Sequence, residues 1–214
     1  MFLRNAWYAA GWASELNPGP VSRTILEQAV VLFRTENGEA HALHDTCPHR
    51  FAPLSLGKLK ADRIICPYHG LEFDGAGTCI RNPHGKGAVP GSLGVEAYPL
   101  IERYGMIWIW MGDKSTADPA LVPDIPRLED SAYSWVYGSL EVEANYQLVI
   151  DNLLDLSHAE FLHPMLASEG NSERTVFRCE QDGDMVRALY DVTGEPITGL
   201  FQILWENQAR TADL

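Results

Sequence analysis

The chain has 214 residues, 46% hydrophobic and 21% charged, which suits a globular protein of one or two domains with a sizeable core. A net charge of −13 without a basic stripe argues against a nucleic-acid partner. No apolar run reaches the length of a membrane span, and Met1-Phe2-Leu3-Arg4-Asn5 lacks the basic-then-apolar form of a signal peptide, so no membrane contact is expected and the cytoplasm is the expected compartment.

From the N-terminus, residues 1–45 read as short strands. Ala6-Trp7-Tyr8-Ala9-Ala10 is aromatic and compact, and Asn17-Pro18-Gly19-Pro20 is a turn. Arg23–Glu27 and Val30–Thr35 are β-rich runs. Glu36-Asn37-Gly38-Glu39 supplies an Asn-Gly hairpin before a further strand at Ala40–Leu43.

The next stretch carries the chemistry. Cys47-Pro48-His49 is followed, sixteen residues later, by Cys66-Pro67-Tyr68-His69. Each half is one Cys and one His on a short loop stiffened by Pro. Two such loops face to face offer two thiolates and two imidazoles, the ligand set of a Rieske 2Fe–2S centre, in which two Cys hold one iron and two His the other. Two Cys and two His also suit tetrahedral zinc, but zinc modules pair Cys with Cys and His with His along the chain. Gly70 to Gly77 then reads as a short apolar strand running into a Gly-rich hairpin turn. The four Cys do not form a disulfide framework, which leaves Cys79 and Cys179 free. Between His44 and Lys86, six cations (Arg50, Lys58, Lys60, Arg63, Arg81, Lys86) oppose four acids (Asp45, Asp62, Glu72, Asp74). This locally basic rim is either an ordinary solvated surface or a landing site for an acidic electron donor. His41, His44 and His84 belong to no motif and read as surface or satisfied core.

Arg81–Gly94 is rich in Gly and Pro and reads as loop. Met106–Met111 reads as a strand covered on both faces, with Trp108 and Trp110 on one of them. Gly112–Pro126, with three Pro and no periodicity, reads as a linker, placing a first all-β domain at 1–125 and a second segment at 126–214.

The second segment is expected to open with a strand at Ser134–Glu143. From Asn145, a fair N-cap, to Pro164 the apolar spacing is helical, with Tyr146, Val149, Ile150, Leu153 and Leu154 on one stripe. His158 and His163 are five residues apart, which in a regular helix puts them on different faces. A bulge or break between Leu156 and Pro164 would bring both inward, where two His and a carboxylate make the facial triad of non-haem Fe(II) sites. Asp155 interrupts the apolar run Leu153-Leu154-Asp155-Leu156, so it either faces a polar partner or lies on a solvated face. Phe201-Gln202-Ile203-Leu204-Trp205 reads as a strand.

The run CPHRFAPL…CPYHGLEFDGAGTCI, together with Asn152-Leu153-Leu154-Asp155-Leu156-Ser157-His158-Ala159-Glu160-Phe161-Leu162-His163, resembles the Rieske non-haem iron oxygenases, and most closely their vanillate and dicamba O-demethylating group. The resemblance implies an α+β chain: a Rieske domain, then the first part of a helix-grip catalytic domain of antiparallel sheet and helices. It implies that Cys47, His49, Cys66 and His69 hold the 2Fe–2S cluster, and that His158 and His163 bind mononuclear Fe(II). Asp155 then corresponds to the acid linking the cluster of one subunit to the iron of its neighbour in a homotrimer, its carboxylate accepting N–H bonds from an iron-ligand His and a cluster-ligand His. A ferredoxin or flavin reductase donates electrons, and Fe(II) activates O2 for hydroxylation of a small aromatic substrate whose methoxy methyl leaves as formaldehyde. The family's third iron ligand, an Asp, is expected beyond Leu214. None of Glu180, Asp182, Asp184, Asp191 and Asp213 is assigned that role. An electron-transfer module without a working iron site and a zinc-binding structural protein are the competing classes.

Overall fold

The computed structural model describes residues 2–17, 19–197, 199–204 and 211–212, so Pro18, Trp205 and Asp213 lie outside the described residues. The chain divides into two compact units, Met1–Val136 and Tyr137–Leu214.

The first unit is all β. Its strands are β1 (Ala6–Trp12), β2 (Val21–Ile25), β3 (Gln28–Arg34), β4 (Ala40–His44), β5 (Lys58–Lys60), β6 (Arg63–Ile65), β7 (Glu72–Asp74), β8 (Cys79–Arg81), β9 (Ala97–Tyr98), β10 (Leu100–Arg103) and β11 (Met106–Met111). They form three antiparallel sheets, ordered β1-β11-β10, β2-β3-β4-β9 and β5-β6-β7-β8. β3 is central, and its alternating side chains serve two cores. Val30 and Leu32 pack with Ala42, Ile107, Ile109 and Met111. Val31 and Phe33 face the other way, into a core with Leu43, Leu54, Ile64 and Phe73 that also contains Cys47 and Cys66. A strand buried on both faces explains why Val30–Phe33 is continuously apolar rather than alternating.

Two local departures from the sequence reading have simple causes. β2 stops at Ile25, because Leu26 and Glu27 form a two-residue hairpin with φ of +49° and +64°. That turn normally takes Asn-Gly, so no residue signalled it. The 112–126 segment does not hang free as a linker does. Asp118 O accepts a bond from Trp7 Nε1 at 2.8 Å, and Asp124 accepts from Tyr104 and Arg103 at 3.0 and 2.8 Å. Two 3₁₀ turns within it, and a third starting at Pro126, leave only Val122 buried.

The cluster-side sheet is tied together by a buried acid. Glu72, 3% exposed, accepts bonds from Arg63 on β6 and Arg81 on β8, so three adjacent strands meet at one carboxylate. Burial by itself would raise the Glu72 carboxyl, and the two guanidinium partners more than offset that, holding it below the usual range.

The second unit mixes helices with short strands. α1 (Tyr146–Leu154) is capped by Asn145, whose side chain accepts from Gln147 N–H. α2 (Ala159–Leu162) and α3 (Asn171–Arg174) precede a hairpin of β12 (Thr175–Asp182) and β13 (Met185–Val192), and β14 (Glu195–Pro196) pairs with β15 (Thr211–Ala212). Two expected strands are corrected. Ser134–Glu143 has extended-type sequence but pairs with no strand among the described residues, and a strand needs a ladder partner to satisfy its amides. Residues 201–204 belong to α4 (Gly199–Leu204), because a short apolar run carries no period that separates strand from helix. Among the described residues no helix is long and apolar enough to cross a membrane.

Replacing Glu72 by Gln removes the charge that both arginines share. Because Arg63 and Arg81 are themselves partly exposed, the expected loss is about 1–2 kcal/mol, read as a lower denaturation midpoint. The depressed carboxyl gives a signed pH effect. Its contribution is present above the ordinary value of 4.5 and fades as the pH falls through the lower folded value. The gap between wild type and Glu72→Gln should therefore narrow below about pH 4.

Candidate metal centre

The two Cys–His loops are built alike. In the first, Cys47 N–H donates to Ala52 O and Phe51 N–H to Cys47 O, both at 2.9 Å. In the second, Cys66 N–H donates to Leu71 O at 2.8 Å and Gly70 N–H to Cys66 O at 3.1 Å. Each loop closes five residues after its Cys, and the fourth residue turns back on the Cys carbonyl. That residue is left-handed in both, φ +57° at Phe51 and +70° at Gly70. Glycine adopts this conformation freely, whereas an L side chain pays roughly 1 kcal/mol.

The first loop is also held from below. Asp45, buried, accepts from Ser55 N–H at 2.7 Å, from the Ser55 hydroxyl at 2.5 Å and from Ser22 at 3.1 Å, while its own N–H bonds Ala29 O. Nothing in the sequence separated Asp45 from the other acids, since its partners are distant in the chain.

Within this frame the four side chains form two pairs. Cys47 and Cys66 are 1% and 3% exposed. Burial pushes the Cys47 thiol up to about 11, with amide bonds from His49 and Arg50 holding it down in part and the adjoining Cys66 thiol raising it. His49 and His69 lie 4.6 Å apart between ring centroids. Burial, then the nearby His49, His84 and Arg50, hold His69 below the ordinary 6.5, which keeps its lone pair available. Its Nδ1 is buried without a hydrogen-bond partner. An orphaned buried nitrogen is costly unless something else binds it. Among the described residues, no three His, Cys, Asp or Glu are placed to share one ion. A thiol pair beside an imidazole pair suits a two-iron group with mixed ligation better than a single tetrahedral zinc.

Other histidines separate clearly. His41 packs on Phe33 and on Gly75, where a Cβ would come within 2.3 Å of the ring. His84 is exposed, as one of its two sequence readings has it, and also sits beside His69, its Nε2 2.7 Å from His69 O. Arg63 and Arg81 turn in on Glu72, leaving Arg50, Lys58, Lys60 and Lys86 as the remaining cations of the basic rim.

In the second unit the helical run is interrupted at Asp155, and the stretch from Leu156 to His163 is irregular where the His spacing asks for it. Asp155 is extended (φ −112°, ψ 95°), and a 3₁₀ turn at Leu156–His158 leads into α2, whose end at His163 precedes Pro164. His158 closes that turn and His163 leaves α2 with φ −128° and ψ 62°, and the two rings lie 5.3 Å apart between centroids. Asp155 plays two local parts. Its carboxylate caps the turn by accepting Ser157 N–H at 3.0 Å, and its carbonyl, not its carboxylate, lies 2.6 Å from His158 Nδ1. The carboxylate faces solvent in the single chain and is held below its usual range by the Ser157 bonds. The loop after His163 is pinned by two further acids. Glu160 accepts from Gly170 and Ser172, and buried Glu195 accepts from Ser168 N–H and Arg174. Of the acids considered as a third ligand, Asp191 pairs with Arg178, and Asp213 lies outside the described residues.

An all-β unit with paired Cys–His loops, followed by a unit presenting two His at the ends of a short helix, defines a class. The chain belongs to the family that joins a Rieske [2Fe-2S] domain, matched over residues 6–99, to a vanillate O-demethylase oxygenase C-terminal domain, matched over 142–214. Among curated relatives, it is 52% identical over 162 residues to the dicamba O-demethylase oxygenase component of Stenotrophomonas maltophilia, covering 76% of this chain and 48% of that one. It is 36% identical over 186 residues to the vanillate O-demethylase oxygenase subunit of Pseudomonas sp. (strain HR199), covering 87% and 52%. The crystal structure of dicamba monooxygenase bound to 3,6-dichlorosalicylic acid superposes with a TM-score of 0.93 at 43% identity, over 99% of this chain and 62% of that one. A dicamba monooxygenase structure with non-haem iron and dicamba gives 0.84 at 42%, over 99% and 61%. The chain spans about half the length of the curated relatives it matches.

Phe51 is 77% exposed and left-handed, so its side chain contributes little to the fold while its backbone carries strain. Phe51→Gly is expected to raise the unfolding free energy by up to about 1 kcal/mol, net of glycine's greater unfolded-state entropy. Thermal denaturation checks this, and a fall in midpoint would show that the aromatic ring packs more than its exposure implies.

Proposed function

We propose that the chain carries the cluster domain and the first part of the catalytic domain of a Rieske oxygenase component, an oxidoreductase for O2-dependent hydroxylation and O-demethylation of a small aromatic substrate. Cys47 and Cys66 hold one iron of the 2Fe–2S cluster and His49 and His69 the other, and His158 and His163 bind mononuclear Fe(II). The observation that carries this reading is the pairing of buried thiols with adjoining imidazoles on two like loops. The likeness to dicamba and vanillate O-demethylase components supports the substrate class.

When bound, the cluster passes single electrons and the mononuclear iron offers open positions for O2. The protein's own part is to set lone pairs and exclude water. A carbonyl only accepts, so the contact with Asp155 O places the His158 proton on Nδ1 and leaves Nε2 of the neutral ring bare for a metal. Leu71, Phe73 and Leu54 surround the thiols with apolar groups, and this dry shell holds the cluster's sulfur side away from solvent. The electron donor is a ferredoxin or a flavin reductase, with Arg50, Lys58, Lys60 and Lys86 offering charge complementarity to an acidic surface. The working assembly is a homotrimer in which the solvent-facing Asp155 carboxylate accepts an N–H from His49 or His69 of a second copy. The proposed compartment is the cytoplasm, in keeping with four free cysteines.

Protein purified without oxygen should contain acid-labile sulfide and two firmly held irons, with visible absorbance and an EPR signal on reduction. Cys66→Ser should lose all of these, and stoichiometric zinc without sulfide would refute the cluster. Iron at the His158–His163 pair should come off to a chelator faster than the cluster irons, because among the described residues no carboxylate joins the two His.

Asp155→Asn separates the linking role from folding. In an oxygenase assembled with a complete catalytic domain, the variant should keep cluster absorbance, iron content and fast reduction by the donor. Electron delivery to the mononuclear site, followed by single-turnover kinetics, should fall by about tenfold or more. Near-normal turnover would sink the role.

A further inference from the structure

The second cluster loop leans on a segment that no motif explains. After β8, residues 82–88 fold back as a compact loop. Asn82 Oδ1 accepts His84 N–H at 3.0 Å, Asn82 Nδ2 donates to Ala88 O at 3.0 Å, and Gly87 N–H donates to His84 O at 3.0 Å. These bonds fix the loop internally and aim its apex at the Cys66–Leu71 turn. There it touches at two successive residues. Pro83 lies against Gly70, where even a Cβ would approach its ring to 3.3 Å. His84 Nε2 is 2.7 Å from His69 O. Because that oxygen is a carbonyl, the ring must donate. His84 also stands edge-on to the His69 ring, 6.1 Å between centroids, on a concave surface shared with Pro48, His49, Leu71 and Leu93.

The first loop has Asp45 beneath it, with three hydrogen bonds to Ser22 and Ser55. Among the described residues no acid takes that place under the second loop. Its backbone is closed by the Cys66 and Gly70 bonds alone, and Gly70, the residue after His69, is the most easily deformed residue type. Something outside the loop must restrain the peptide that carries the His69 ring.

We infer that His84 is a positioning residue for the second cluster loop, its Nε2–H clamping the His69 carbonyl so that the His69 ring keeps Nδ1 turned toward the metal. This rests on the cluster reading for its redox consequence, but the clamp itself is a property of the protein. Rieske potentials respond to hydrogen bonding and solvent exposure around the cluster, so a loosened His69 should register there.

Three variants test it. His84→Ala removes the ring, His84→Phe keeps a ring without the donor, and His84→Gln restores an N–H. In metal-free protein, hydrogen exchange of the Gly70 amide should quicken in the Ala and Phe variants by about tenfold, the order by which outer partners affect metal sites, and return toward wild type in the Gln variant. In loaded protein, the cluster potential and EPR line shape should shift in His84→Phe and recover in His84→Gln. Wild-type exchange in His84→Phe, an unshifted potential in that variant, or no recovery with Gln would each overturn the inference. Wild-type protein without acid-labile sulfide would instead overturn the cluster reading, and the exchange measurement would then decide the role of His84 by itself.

Discussion

The burial of two cysteine thiols in the seam between β3–β4 and the β5–β8 sheet is the contact on which the first unit depends. Cys47 and Cys66 are members of the same apolar cluster as Val31, Phe33, Leu43 and Phe73. The loops that carry them are therefore anchored at their roots by hydrophobic packing, and the tip of the second is held besides by Pro83 and His84. Without a metal, burial keeps Cys47 a neutral thiol, and a bound cation reverses that preference by stabilising the thiolate. The histidines, nearer the surface, complete a site whose sulfur half lies in the core.

Charge around this seam points inward as much as outward. Glu72 and Asp45 are both buried in a chain whose other acids are mostly solvated. Each gathers partners from separate elements, Glu72 from β6 and β8 and Asp45 from Ser22 on β2 and the 54–56 turn. A buried carboxylate is tolerated only when its oxygens are satisfied, so each acid also specifies which strands lie together. The same device recurs in the second unit, where Glu160 and Glu195 hold the backbone that follows His163.

The second unit uses a break where the first uses loops. α1 ends at Leu154, the extended Asp155 starts a new turn, and the 3₁₀ residue His158 and the non-helical His163 flank α2 with their imidazoles 5.3 Å apart. One residue caps the new turn with its side chain and fixes the tautomer of His158 with its carbonyl. The apolar stripe of α1, including Ile150, Leu153 and Leu154, is exposed in the chain as described.

Sequence by itself determined the features that depend on near neighbours. The Cys–Pro–His and Cys–Pro–Tyr–His loops, the Asn37-Gly38 turn, the strand at Met106–Met111 and the Asn145 cap all follow from residues a few positions apart, whose backbone preferences act locally. The helix irregularity between Leu156 and Pro164 was legible from the His spacing, although the further interruption at Asp155 was not. Tertiary structure decided what depends on partners far along the chain. The left-handed Leu26-Glu27 and Phe51 are imposed by strand register and loop closure, against the preference of their side chains. Ser134–Glu143 has strand-like residues but no ladder, because pairing belongs to two segments and not one. Asp45, Glu72 and His84 look like any surface acid or stray histidine until folding places Ser55, two arginines and the His69 carbonyl beside them. Burial and hydrogen bonding are pair properties, and one member of a pair does not announce the other.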